Sequence, residues 1–495
     1  MHARSAQPGP ADPCADEGCC EAGALVESVT LEAWSATLER EVAARGRSIS
    51  PFQRRVRAEL GLPIDRPVVM SGHQAEIWHP GIFAKWCAGV EISRRIGGVF
   101  AWLHVDQDTN EPGVIECPAL DAEGTLVKRA ITLIEPSRDV PTGSRPARRI
   151  DPERVRLAQS ETLFNPSAVE RLIELLNAHA DAPTLALQFG RAAESLASRA
   201  SSGAEPVFTL TTTDLSRTSA FGDFVSLIRE DAPRAISSHN RAAASVPQAG
   251  IRALGLKGEG AGVRAELPLW RVATGSVRTP VMLSQLDSIP PEALRPRALL
   301  MTGLARLGAC DLFLHGTGGG VYDRVTDAWF EAWLGTAERT RLGLDEGLER
   351  GPERPVRLAP VVVASATARL AFGPDRGGVT PIEARIARHR AHAARHDPAI
   401  LGDEAAAGEK RSLVEAIRAS EDRGERLRIY RRMHALLEEV REAKRSRLHE
   451  FERLAADAAR RAAEHEVVRE RAWPISLYPL STLEAVASGV RSAIG

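Results

Sequence analysis

The sequence predicts an α/β protein: a Rossmann-like parallel-sheet core with inserted connecting segments, plus a long α-helical coiled-coil arm. Three observations predict it. Residues 67–71 (Pro-Val-Val-Met-Ser) and 99–105 (Val-Phe-Ala-Trp-Leu-His-Val) are apolar runs of strand length with a helical segment between them. Strand, helix and strand within about 40 residues make a βαβ unit, whose strands run parallel. From about residue 400 the chain becomes dense in Glu, Arg, Ala and Leu, with apolar residues mostly three and four apart.

Taken in order, residues 1–24 are polar and read as a disordered tail. Cys14, Cys19 and Cys20 lie in it, and with His2 their spacing fits no standard zinc pattern. Residues 28–60 carry helical periodicity through Trp34, Leu38, Val42, Val56 and Leu60. After the strand at 67–71, Pro80-Gly81 opens a helix with Phe83, Trp86, Cys87, Val90 and Ile92 on one side, and Gly97-Gly98 closes it. The strand 99–105 runs into Asp106-Gln107-Asp108. Residues 110–200 and 241–290 are less regular and are expected to decorate the core. Between them, 206–212 reads as a strand followed by a helix through Phe221 to Ile228. Further on, 298–308 reads as a helix, 310–316 as a strand and 322–334 as a helix, and 356–370 contains one more buried strand.

Thr380-Pro381 with Glu383 is a helix start. The arm occupies 401–471, with a break near Asp422-Arg423-Gly424. A helix from Glu425 to Arg471 would be about 70 Å long, too long for one face of a compact core. It reads as a helical hairpin or a dimer zipper. Residues 472–495 are expected to return to the body through Trp473, Leu477, Tyr478 and Leu480. The core is thus 25–400.

Bulk properties exclude several classes. The net charge is −1 and aromatic residues make up 5%, which speaks against a stacking or phosphate-tracking nucleic-acid surface. No apolar run approaches the ~20 residues of a membrane span, and no apolar leader opens the chain, so the cytoplasm is the expected location. Lysine stands at only five positions in an arginine-rich chain. One of them, Lys85, lies inside the first motif, where an arginine bias would have erased a replaceable lysine.

That motif runs from Gly72 to Lys85. Ligands of parallel sheets bind beyond the carboxyl ends of the strands. A strand-to-helix turn also presents backbone N–H groups at a positive helix end, which suits phosphate. Gly72 is expected to let a ligand approach the backbone. His73 and His79 would donate to phosphate oxygens without permanent charge, with Gln74 beside them and Lys85 on the helix. The histidines resemble the more closely spaced pair of class I aminoacyl-tRNA synthetases. The alternative is a capping loop whose histidines bond locally.

Asp106 and Asp108 form the second constellation. Alternate residues of an extended segment point the same way, so their carboxylates are expected to converge on Mg²⁺ or on a substrate amine. The alternative is a solvated turn. The third is His315-Gly316-Thr317-Gly318-Gly319-Gly320-Val321-Tyr322-Asp323-Arg324, between a strand and a helix. It is neither the dinucleotide fingerprint nor a Walker loop. His315, Gly316, Gly318, Gly319, Gly320 and Tyr322 are expected to close over a substrate amine or hydroxyl, with Asp323 as acceptor and Arg324 near a substrate carboxylate. The alternative is a tight turn that needs glycine. His389, His392 and His396, at i, i+3 and i+7, share one helical face, and with the surrounding Arg385, Arg388, Arg390 and Arg395 read as a solvated basic face where a nucleotide phosphate could dock; the alternative is a metal site.

These parts in this order resemble the bacillithiol synthase family, the cysteine ligases of bacillithiol biosynthesis. The family's Gly-x-Gln-Ala segment and following Gly and Lys are matched by Gly72, Gln74, Ala75, Gly81 and Lys85. Its Trp-containing strand ending in Asp-x-Asp is matched by Trp102, Asp106 and Asp108. The segment 315–327 and an arm before a short return segment are similar as well, so the resemblance spans most of 65–495 at the level of motifs. Ile77-Trp78-His79-Pro80-Gly81, Gln107 and Thr109-Asn110-Glu111 depart from the family pattern. The resemblance implies a Rossmann-like core, an antiparallel coiled coil that mediates homodimers, and use of ATP. The implied reaction adds cysteine to an amino-sugar conjugate, glucosaminyl-malate. A non-catalytic nucleotide-binding or scaffold protein that dimerises through its arm is the alternative.

Overall fold

Val68–Met70, Val99–Leu103 and Leu312–Leu314 are uninterrupted apolar runs, the pattern of strands covered on both faces. In the computed structural model they lie at the centre of a six-stranded sheet. The structure describes residues 24–46, 48–154, 162–201, 207–258, 264–344, 356–373 and 376–495. The expected tail, with its three cysteines, lies outside these except for Ala24.

The sheet contains β1 (Ala24–Glu32), β2 (Val68–Gln74), β3 (Val99–Val105), β4 (Phe208–Thr211), β5 (Leu312–His315) and β6 (Val361–Leu370), in the spatial order β1-β6-β5-β2-β3-β4. The five strands from β6 to β4 are parallel, and β1 is antiparallel on the β6 edge. The chain therefore walks outward from β2 through β3 to β4, then returns to the other side of β2 for β5 and β6. The reversal falls between β2 and β5. The expected β2–helix–β3 unit with parallel strands is present, its helix (α1) spanning Pro80–Arg95.

Side chains alternate between two cores. Val69, Phe100, Trp102, Leu312 and Leu314 face one cluster, with Phe83 and Trp86 of α1 and Phe189. Val68, Met70, Val99, Ala101, Leu103 and Phe313 face the other, with Phe224 and with Trp329, Phe330 and Trp333 of α2 (Gly319–Trp333). At the start of the strands a wholly buried Arg57 meets Asp311 at 2.7 Å. The same Asp311 carboxylate accepts the Val68 N–H at 2.8 Å.

Several expectations are corrected. The helical reading of 28–60 fails at its start, where Ala24–Glu32 is an edge strand with β-branched Val26, Val29 and Thr30. Ala33, at φ 68°, ends it, and helices follow at Ala36–Arg45 and Pro51–Glu59. The segments expected to be irregular carry regular structure. A hairpin forms at Val114–Leu120 and Leu126–Thr132, helices at Pro166–Asn177 and Leu185–Ala200, and a small sheet around Arg264–Arg271. The helix Ala298–Leu304 continues as a π-turn over Ala305–Ala309.

Beyond β6, Thr380 and Glu383 form a capping box at the start of α3 (Pro381–Ala394). Then come α4 (Glu404–Ala419), α5 (Arg423–Ala443) and α6 (Arg445–Arg469). Asp422 caps α5 where the break is expected, but the long helix expected from Glu425 is interrupted again at Lys444. Within the chain α4 packs on α5 and α3 on α6. The return segment buries Trp473, Ile475, Leu477 and Tyr478, with the Ile475 N–H on the Trp78 carbonyl at 2.7 Å. Leu480, expected to pack back, is exposed at the start of α7 (Leu480–Ile494). Among the described residues, no helix is long and apolar enough to cross a membrane.

Candidate functional site

α1, which follows β2, packs on one face of the sheet, and α2, which follows β5, packs on the other. A crevice opens where such connections part. There a cavity of about 390 Å³ is lined by Gly72, His73, Gln74, His79 and Lys85 on one side and by His315, Gly316, Gly318 and Gly319 on the other. Two motifs far apart in the sequence thus meet in one cavity.

Lys85 is its most constrained member. The side chain is 4% exposed, and Nζ donates to the Gly72 carbonyl at 2.7 Å, 5.4 Å from the Trp102 ring. Trp78 and Trp86 pack around that ring at 4.4 and 5.6 Å. Burial against these indoles pushes the Lys85 amine down to about 7, opposed by the nearby Glu76. Burial pushes the Glu76 carboxyl up to about 7, opposed by Lys85. Each group's charge thus opposes the shift that burial imposes on the other.

His73 lies 3.3 Å from Glu76 Oε1, and burial, then Lys85 and His79, hold its imidazole well below the usual range. His79 is the N-cap of α1: its Nδ1 accepts the Gly81 N–H at 3.1 Å. Local bonding is thus the right reading for Nδ1, and it fixes the ring proton on Nε2. Burial, then Lys85, lowers His79 to about 4, so it is neutral at pH 7. Gly72 lines the cavity and also serves the sheet. A side chain there would meet the Leu103 carbonyl at 2.4 Å, so the missing Cβ serves the approach of β2 to β3.

The two aspartates do not converge. β3 ends at Val105, and Asp106 and Gln107 already turn, so strand alternation no longer applies. Asp108 accepts Gln74 Nε2 and Arg278 NH1, both at 2.7 Å, and the Arg278 guanidinium lies 4.4 Å from the Trp270 ring. Asp106 instead accepts the Thr213 N–H at 3.1 Å and the Thr213 hydroxyl at 2.6 Å, facing a different cavity. Among the described residues, no group of three or more His, Cys, Asp or Glu is placed to hold a metal.

The glycine loop is also redistributed. His315 Nε2 lies 2.7 Å from Asp323, which is 2% exposed and has Arg306 of the π-turn 3.4 Å from its other oxygen. Asp323 is therefore engaged behind the cavity and is not open to a substrate amine. Arg324 lines a separate cavity with Glu32 and Arg357, and Gly320 backs onto Val363. Tyr322 is half-buried outside the lining, its phenol pushed up by burial. None of these glycines has positive φ. Gly319 is needed because a Cβ there would meet His315 Nδ1 at 2.1 Å. Gly318 caps α2 without a side chain, and the first N–H of that helix, that of Gly319, donates to the Gly316 carbonyl at 3.0 Å.

Thr302, Ser365 and Glu76 belong to the site without having been singled out in the sequence. Glu76 lay within the first motif, in full view. Of the three histidines expected on one helical face, His389 and His392 lie in α3 and His396 lies beyond its end; the His392 and His396 rings are 4.9 Å apart and tilted, and the neighbouring Arg395 bonds Glu452 of α6. No family model, curated protein or solved structure matches the chain.

Proposed function

We propose that the protein is an ATP-dependent carbon–nitrogen ligase that adds cysteine, or another amino acid, to an amino-sugar conjugate such as glucosaminyl-malate, the last step of a bacillithiol-type thiol biosynthesis. The observation that carries this reading is the cavity between β2 and β5, where the Gly72–Lys85 motif meets the glycine loop. The order of the parallel strands is that of doubly wound nucleotide-binding sheets, whose ligands lie where the order reverses. On this reading the core is Rossmann-like, and the helices of 401–471, which pair with one another and with α3, are a coiled-coil arm that joins two copies in the cytoplasm.

His73, the Nε2–H of His79 and Lys85 hold the phosphates of ATP, facing the start of α2. Gln74, steadied by Asp108, orients the substrate. Mg²⁺ enters with the triphosphate, because Asp106 and Asp108 are spent on separate partners. The amino acid carboxylate attacks ATP at phosphorus, forming an acyl phosphate with release of ADP or an acyl adenylate with release of pyrophosphate, and the sugar amine then attacks the acyl carbon and expels phosphate or AMP. His315, its ring fixed by Asp323, takes the proton the amine loses.

The test is a turnover assay read by mass spectrometry, with ATP, Mg²⁺, cysteine and glucosaminyl-malate. The wild type forms the amide. His73→Ala and His315→Ala each lose about 10²-fold or more, the scale of a transition-state hydrogen bond or a general base. Wild-type rates in both variants would sink the assignment. ATP binding without turnover would leave a nucleotide-binding scaffold.

A further inference from the structure

The side chain of Lys85 runs along the wall of the cavity between β2 and β5, beside the glycine loop. A Cβ at Gly316 would find Lys85 Cδ at 4.0 Å and nothing nearer, and Gly316 has no positive φ. The backbone therefore does not demand a glycine at this position. The missing side chain instead leaves the lysine stem uncovered on the side of the loop.

The amine at the end of that stem lacks the partner a buried ammonium normally has. Nζ donates to the Gly72 carbonyl at 2.7 Å, and among the described residues no carboxylate pairs with it. Glu76, the acid that acts on it through space, lies 3.3 Å from His73 instead. Burial favours the neutral amine and lowers the group to about 7. A neutral lysine amine carries a free lone pair and is a nucleophile. Around it Ile82, Leu103, Val105, Met301 and Phe313 supply apolar wall. His73 and His79 line the same cavity as neutral imidazoles, able to accept a proton and return it.

We propose that Lys85 captures a carbonyl ligand: it condenses with a small aliphatic aldehyde in this cavity to form an imine. The Nζ lone pair attacks the aldehyde carbon, and one N–H proton passes to the carbonyl oxygen, giving a carbinolamine. Nitrogen then forms its double bond to that carbon as the hydroxyl leaves, and the second N–H proton departs with it as water. The balance is amine plus aldehyde to imine plus water, with no change in oxidation state. His73 and His79 carry the protons between nitrogen and oxygen, and the apolar wall takes the alkyl chain. Capture uses the cavity when no nucleotide fills it, so it does not rest on the ligase reading.

Reductive trapping with cyanoborohydride tests this on the full chain at pH 7 without nucleotide, with propanal as probe and peptide mass spectrometry as readout. The N-propyl adduct is expected to form about tenfold or more faster at Lys85 than at the exposed Lys257, because an ordinary lysine amine is almost wholly protonated at that pH. The rate at Lys85 is expected to saturate with propanal concentration, as binding in a cavity requires, while the rate at Lys257 stays proportional to it. Gly316→Leu places a side chain over the Lys85 stem where the backbone needs no glycine. It is expected to slow Lys85 labelling about tenfold or more and to leave Lys257 unchanged. Labelling of Lys85 no faster than of Lys257, a Lys85 rate strictly proportional to propanal, or undiminished labelling in Gly316→Leu each overturns the assignment. Every arm omits ATP, so that failure leaves the ligase reading untouched, and a failed turnover assay leaves the aldehyde site standing.

Discussion

At the scale of single residues, the amine of Lys85 is the sharpest handle. Folding lowers it to about 7, whereas a lysine in the unfolded chain titrates near ~10.4. Between those values the folded state binds fewer protons than the unfolded one, so stability rises with pH across that window. Lys85→Met removes this dependence. Its stability gain over the wild type is expected to be greatest below pH 7 and to shrink as pH climbs toward 10, measured by urea unfolding at stepped pH. Competitive amine acetylation at stepped pH should show an inflection for Lys85 near pH 7. An inflection near 10 for Lys85 would refute it. Lys85 was legible in the sequence because lysine is scarce there. Asp323 was misread because its partner Arg306 sits in a π-turn, which leaves no periodic signal. Asp106 and Asp108 were misread because the strand ends at Val105, one residue before the first of them.

Among the elements, the parallel strands are joined at their starts by Arg57 and Asp311, which tie the Pro51–Glu59 helix, β5 and β2 together. Removing one partner strands a buried charge. Arg57→Met is therefore expected to cost about 3–5 kcal/mol, and Arg57→Met with Asp311→Leu to recover much of it. Urea midpoints for the two single variants and the double variant check this; additive losses would show that the charges act independently. β2, α1 and β3 were legible because their signals are local: an apolar run, Pro-Gly at a helix start, Gly-Gly at its end. β1 was not, since a half-exposed edge strand takes its identity from β6, at the far end of the core sequence. The helices at 166–177 and 185–200 bury one side each, and that side emerges only once the sheet they cover exists.

For the molecule as a whole, the helices after β6 use their inner faces on one another, yet Ile382 and Ile386 of α3 remain 62% and 60% exposed. Homodimerisation through this face accompanies the ligase reading. Ile382→Asp with Ile386→Asp is expected to shift the mass by light scattering from two chains to one, with a melting temperature within a few degrees of the wild type, since both positions are exposed. A wild type that is already a single chain at micromolar concentration would dismiss the pairing.

The return of the chain after α6 has a further consequence. α3 and α6 run in opposite directions, and where the excursion leaves the body it also comes back: His465 Nδ1 lies 3.1 Å from the Gly377 carbonyl, and the next segment is bonded beneath Trp78. The excursion through α3 to α6 is thus entered and left at neighbouring points. Whole turns added to or deleted from the α4–α5 pair would leave those two points where they are. Mutation is free to vary the length of the excursion, while the few residues where it begins and ends keep their addresses.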